Sequence, residues 1–252
     1  MAEHFIWRHS NSGGGTESFV WLHGWGYTRA GFQRLAALFQ KDGHNNIFDL
    51  PGFGETPMLF SGAGTSDYAD SLAAQLDKNQ RHIIIGHSYG GRVAIQLAAK
   101  HPKLVKAIIL IGGAGVPRRR SIPYKVRAAA LKILGKLARI SDQLLGTEYR
   151  QAYTTRFGSE DYKNAGELRG TLVSAVTENL GPVAREIKCP ALLLYGDGDK
   201  EAPPEIGKRY ETLIAVSRYV ELKGYDHHDI LTRGAYQCEA LIKSFLKDLD
   251  HE

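Results

Sequence analysis

IIIGHSYGGRVAIQLAAK, residues 83–100, decides how this chain folds. Ile83, Ile84 and Ile85 form an unbroken apolar run, the pattern of a buried strand, while Val93, Ala94, Leu97 and Ala98 recur at helical spacing. Between them, Gly86-His87-Ser88-Tyr89-Gly90 satisfies G-x-S-x-G, in which two glycines flank a serine forced into a strained strand-to-helix turn. Such a turn lifts the Ser88 hydroxyl above the sheet edge. The competing reading is a glycine-rich turn with an incidental serine, and the strand before and helix after weigh against it.

Bulk properties bound the rest. A chain of 252 residues with 43% apolar content buries a full core without disulfides or metals, and one domain with an insertion is expected. The opening MAEHFIWRHS lacks the apolar run of a secretory signal, and no stretch of 18 apolar residues occurs, so a soluble, cytoplasmic protein without stable membrane insertion is expected. Cys189 and Cys238 have neither metal-ligand spacing nor the density of a disulfide framework and read as buried small hydrophobes. The net charge is +5, but no acidic residue lies between Asp77 and Asp142, a window holding 14 Lys and Arg. The basic excess is therefore local.

Outward from the elbow, the chain alternates. His4 to His9 alternates weakly and suits an edge strand, with NSGGGT at 11–16 as a turn. ESFVWLHGWG gives a short buried strand, and Phe32, Leu35, Ala36, Leu38 and Phe39 predict a helix over about 29–41. HNNIFDLPGFGET supplies a strand and a Pro/Gly turn, a helix follows around Tyr68 to Leu76, and VKAIILIGG adds another strand. Strand-helix alternation predicts an α/β fold: a mostly parallel sheet with helices on both faces. From Pro117 to about Glu186 the alternation stops. Val126, Ala130, Ile133, Leu134, Leu137 and Leu144 follow a helical period, as do residues 148–157 and 166–179. This divides the chain into a first core part at 1–116, a helical cap at 117–186 lying above the strand ends, and a second core part at 187–252. In the last part PALLLYGDGDK and SRYVELKGYDHH restore the strands, and Cys238 to Leu249 predicts a closing helix.

A serine hydroxyl needs an imidazole to take its proton and a carboxylate to orient that imidazole. Asp197 and Asp199 follow the strand ALLLY, and His227 and His228 follow the strand RYVEL. Ser88, Asp199 and His227 thus stand in the chain order serine, acid, histidine.

Five ordered motifs, HGWG at 23–26, DLPGFGET at 49–56, GHSYGG at 86–91, YGDGD at 195–199 and GYDHH at 224–228, give the chain a clear resemblance to the α/β-hydrolase superfamily of serine esterases and related enzymes. The likeness covers nearly the whole length. It implies an oxyanion loop at HGWG, an acid turn at YGDGD, a histidine loop at GYDHH, and a variable insertion where the cap lies. Family spacing favours Asp199 over Asp197 as the acid and His227 over His228 as the base, with Asp197 as a turn former and His228 or Asp229 solvated. Neither alternative is closed. His23 and His87 flank the catalytic turns and read as structural, as does Asp49, which begins a turn set by Pro51, Gly52 and Gly54.

Acyl transfer builds negative charge on a carbonyl oxygen, and backbone N–H groups of Trp25 and Tyr89 are the expected donors to it. The Trp25 ring then either lines the pocket or packs cap against core. The expected activity is a cofactor-free, metal-free serine hydrolase acting on a small or medium ester. Alternatives are hydrolysis of a carbon-carbon bond in a vinylogous diketone, a lactonase, thioesterase or perhydrolase, and a small-molecule receptor on the same fold. Haloalkane dehalogenases and epoxide hydrolases are disfavoured because they place aspartate where Ser88 stands. The basic run Arg118, Arg119, Arg120, Lys125, Arg127, Lys132, Lys136 and Arg139 reads as the solvated face of a helix; the alternatives are attraction of anionic substrates or contact with an anionic membrane surface. Nucleic acid finds no support, because the charge is confined and no binding motif accompanies it. Substrate identity and oligomeric state are not legible.

Overall fold

The apolar runs become one seven-stranded sheet. A computed structural model describes residues 5–119, 122–149, 156 and 160–249. The strands are β1 (His9–Ser12), β2 (Glu17–Leu22), β3 (Gly43–Phe48), β4 (His82–His87), β5 (Val105–Ile111), β6 (Ala191–Gly196) and β7 (Ser217–Leu222), in the order β1-β3-β2-β4-β5-β6-β7. β1 runs antiparallel on the edge, and every other pair is parallel. Because all parallel strands end on the same edge, the loops after β2, β4, β6 and β7 gather there. β3 and β4 flank β2 on opposite sides, so the winding direction reverses beside it, the place where open α/β sheets form their ligand crevice.

The central strands β2, β4, β5 and β6 are largely apolar because both of their faces are covered. Successive side chains alternate faces. Val20, Leu22, Ile84, Ile108 and Leu193 meet one helical layer, supplied by α2 (Thr65–Gln75), α3 (Tyr89–Lys100) and α8 (Pro204–Leu213) through Leu72, Val93, Leu97 and Ile206. Phe19, Trp21, Ile83, Ile85 and Leu192 meet the other, supplied by α1 (Gln33–Ala37) and α9 (Ala235–Leu249) through Leu35, Cys238, Ile242 and Phe245. Cys189 and Cys238 are free and buried, and burial pushes their thiols up to about 11 and about 12. No helix of the described residues is long and apolar enough to cross a membrane.

Two elements differ from expectation. The edge strand lies at His9–Ser12, not at residues 4–9, because its register is fixed by pairing, His9 opposite Phe48 and Ser12 opposite Asn45, and the turn waits for Gly13 at φ 86°. The helix expected over 29–41 is a 3-10 turn, Arg29–Phe32, followed by the five residues of α1. Leu38, Phe39 and Asp42 close turns that return the chain to β3, and Phe39 still reaches the core.

Between β5 and β6 the described residues contain α4 (Ile122–Leu145), α5 (Glu160–Asn164), α6 (Arg169–Thr177) and α7 (Gly181–Ala184), with no strand. Most of the helical pattern at 148–157 lies outside the described residues, as does Arg120. The basic side chains of α4 that are described stand in solvent, but so do most of its apolar ones. The basic residues Arg127, Lys132, Lys136 and Arg139 thus form the expected solvated face, while the apolar stripe that such a helix normally packs inward is exposed as well.

Candidate active site

Ser88 sits between β4 and α3 at φ 49° and ψ −106°, the one non-glycine with positive φ among the described residues. Holding such a conformation costs on the order of 1–3 kcal/mol, which the surrounding structure must offset. The flanking glycines explain how. A Cβ on Gly90 would stand 2.0 Å from the Leu22 carbonyl oxygen, and one on Gly86 would stand 2.5 Å from that of Gly90. The turn is thus pressed against β2, where the Gly90 amide donates to the His23 carbonyl at 3.0 Å.

Asp199 and His227 meet over the ends of β6 and β7. His227 Nδ1 lies 2.6 Å from Asp199 Oδ2, and both side chains are buried. The other oxygen, Oδ1, accepts the backbone N–H groups of Glu201 and Ala202 at 2.8 and 2.7 Å, which fixes the carboxylate's orientation. The histidine thereby donates through Nδ1 and leaves Nε2 as an acceptor. Gly112, at the end of β5, closes on this pair: a Cβ there would come within 3.1 Å of both Asp199 Oδ2 and His227 Nδ1.

The neighbouring alternatives are engaged elsewhere. Asp197 Oδ1 accepts the Gly224 amide at 2.7 Å and ties two turns together. His228 is half-exposed at the cavity mouth, with Nδ1 2.7 Å from the Tyr27 hydroxyl and Nε2 2.9 Å from Glu201 Oε1. His87 is buried behind His227, and its Nε2 donates to the His227 carbonyl at 2.9 Å. Burial first, and the neighbouring His227 second, pushes His87 down to about 3. His23 donates from Nδ1 to the Gly24 carbonyl and accepts the Leu50 amide on Nε2, and burial lowers it to about 4. Asp49 holds Arg29 and accepts the amides of Arg29 and Glu55, so its partners are structural.

A cavity of about 600 Å³ joins these groups and is lined by Ser88, His227, Trp25 and Tyr89, with Leu172, Ala175 and Val176 of α6 as its upper wall. Tyr89 opens α3, so its N–H has no acceptor one turn back within the helix. The Trp25 ring packs edge-on against Phe53 and Tyr89, with centroids 5.0 and 5.3 Å away, and also lines the cavity. The ring thus lines the cavity, and these ring partners belong to the core rather than to the segment at 117–186.

Among the lining residues not singled out by the sequence are Glu201, Tyr27 and Arg92. Glu201 places Oε2 3.6 Å from His227 Nε2 at the mouth. Tyr27 holds His228. Arg92, one helical turn beyond Ser88, is 14% exposed; its Nη1 donates to the Ala175 carbonyl at 2.6 Å and lies 3.9 Å from Glu178 Oε2. A charged residue at that spacing from Ser88, on a helix otherwise largely buried, was the available signal.

Comparison with known proteins bears on the family and the fold. A pimeloyl-[acyl-carrier protein] methyl ester esterase of Neisseria meningitidis is 29% identical over 242 residues, covering 90% of this chain and 91% of that protein. A 2-hydroxy-6-oxononadienedioate/2-hydroxy-6-oxononatrienedioate hydrolase of Burkholderia vietnamiensis is 27% identical over 225 residues, covering 80% and 77%. Among solved structures, a putative lipase of Acinetobacter baumannii superposes with a TM-score of 0.73 at 24% identity over 97% of this chain and 88% of that one. The profile of the Alpha/beta hydrolase family matches residues 19–236, most of the chain, and the chain belongs to that family.

Proposed function

We propose that this protein is a serine hydrolase that cleaves a small or medium carboxylic ester through an acyl-enzyme. One observation carries the reading: a serine held at a strained positive-φ turn shares a cavity with a histidine whose Nδ1 is bound by a buried aspartate. Ser88 Oγ attacks the carbonyl carbon while its proton passes to His227 Nε2, and Asp199 stabilises the imidazolium that forms. The N–H groups of Trp25 and Tyr89 receive the oxyanion. Collapse breaks the ester C–O bond, and His227 returns the proton to the leaving alkoxide. Water then gives its proton to His227, adds to the acyl carbon and releases the acid and Ser88. Every step uses side chains and amides of this chain.

A p-nitrophenyl ester chain-length series on wild type, Ser88→Ala, His227→Ala and His228→Ala tests this. Ser88→Ala and His227→Ala should each lose several orders of magnitude in kcat/KM, as members of one unit do, and His228→Ala should stay within about tenfold. A fluorophosphonate should label wild type at Ser88 and leave Ser88→Ala unmodified. Turnover that survives Ser88→Ala refutes the mechanism.

A second reading, hydrolysis of a carbon-carbon bond in a vinylogous diketone by the same triad, is favoured by Arg92. A substrate of that class bearing a carboxylate would find a cation in the cavity wall, and the relative from Burkholderia vietnamiensis is named for a dioate. Turnover of such a diketone by a wild type inactive on every ester would establish it.

A further inference from the structure

We propose that α4 is an interfacial helix that docks this protein on an anionic lipid surface, its apolar stripe entering the acyl boundary and its cations meeting the headgroups. The proposal is independent of the ester reading. α4 has 24 residues and is therefore about 36 Å long. Advancing about 100° per residue, Ile122, Val126, Ile133, Leu137, Ile140 and Leu144 fall within a sector of roughly 60°. A stripe so narrow and continuous normally packs inward. Here it does not: those six side chains are 49–77% exposed. The part-covered positions, Leu131, Gly135, Ala138, Ser141 and Asp142, lie on another side of the helix. The apolar stripe of α4 thus stands in solvent, as do Leu134 and Leu145 beside it, and a contiguous exposed patch of this kind marks an interaction site.

Charge identifies the occupant. Lys132, Lys136 and Arg139, all exposed, form a row along one edge of the stripe, and Arg127 stands beyond the other edge. The helix's acid, Asp142, is on the part-covered side and accepts the Thr147 hydroxyl at 2.7 Å and the Tyr149 amide at 2.8 Å. No other acidic residue occurs from position 78 to 141. Apolar side chains flanked by long cationic ones are what an anionic bilayer surface binds, with Lys and Arg stems lying along the apolar zone and their charges reaching the phosphates. A second copy would bring the same cations against each other. A planar interface also covers one convex helix along its whole length without a matching groove. The preceding loop carries Ala114, a lining residue of the cavity, so the docked helix would hold the cavity mouth near the lipid.

The test is co-sedimentation of the full chain with phosphatidylglycerol-containing vesicles and with pure phosphatidylcholine vesicles. The variants are Lys132→Glu/Lys136→Glu/Arg139→Glu and Ile133→Asp/Leu137→Asp. Far-UV circular dichroism and urea unfolding should be unchanged in both, because the altered side chains are exposed. Wild type should partition at least about tenfold more strongly onto the anionic vesicles, and less so at high salt. Each cation contributes about fivefold, so reversing three should cost at least about 100-fold. The aspartate pair should lose binding to both vesicles. Absence of pelleting, equal binding to both lipids, or variants that bind like wild type would overturn the proposal. So would a dimer in sedimentation velocity that Ile133→Asp/Leu137→Asp dissociates, or an acidic protein that binds α4 where anionic vesicles do not.

Discussion

Acidification should destabilise this protein through two buried histidines. His87 and His23 are buried neutral, with pKa values lowered from 6.5 to about 3 and about 4. Each has one ring nitrogen committed as a donor, to the His227 and Gly24 carbonyls respectively. The remaining nitrogen of His23 accepts the Leu50 amide, and that of His87 faces Gly24 so closely that a Cβ there would lie 2.9 Å away. A second proton therefore has no acceptor. Both folded values lie below the unfolded one, so the stability these groups contribute is complete above pH 6.5 and is lost as pH falls toward the folded values. Between pH 7 and pH 5 each should cost about 2 kcal/mol, about 4 kcal/mol together, against a total stability of about 5–15 kcal/mol. Urea unfolding followed by circular dichroism at both pH values measures this. His87→Gln cannot take up the proton, and its loss between the two pH values should be smaller than that of wild type by about 2 kcal/mol, whatever its stability at pH 7. His23→Gln offers the same comparison should the first variant fail to fold. Equal losses in wild type and both variants would refute the reasoning.

Other expectations follow from single distances. Gly90→Ala drives a Cβ against the Leu22 carbonyl, so it should cost at least about 1–3 kcal/mol and lower Tm by several degrees; an unchanged melting curve would contradict the close approach. Asp199→Asn keeps the shape of the acid but presents the wrong partner to His227 Nδ1, and should lower kcat by about 10⁴ with the fold retained. Activity within tenfold of wild type would move the acid role to Asp197. Arg92→Gln should raise KM for a carboxylate-bearing ester by about tenfold while sparing a neutral ester of equal length, and equal effects on both would remove Arg92 from recognition.

The division between sequence and fold is visible residue by residue. The strained turn at Ser88 was legible because it needs glycine at 86 and 90, and glycine is a local requirement written in the chain. The parallel sheet was legible because strands covered on both faces must be apolar throughout. The edge strand was misplaced by several residues because β1 is polar and half-exposed, so its position comes from pairing with β3 rather than from its own pattern. Periodicity gave α4 its stripe but not its direction. A helix with an apolar face looks the same whether that face meets a core or meets solvent, and only the packing of the whole chain left the stripe outside. Likewise two histidines in succession are equivalent as letters. The loop after β7 aims one at Asp199 and hands the other to Tyr27 and Glu201, a difference made by side chains up to 201 positions away that only tertiary folding brings together.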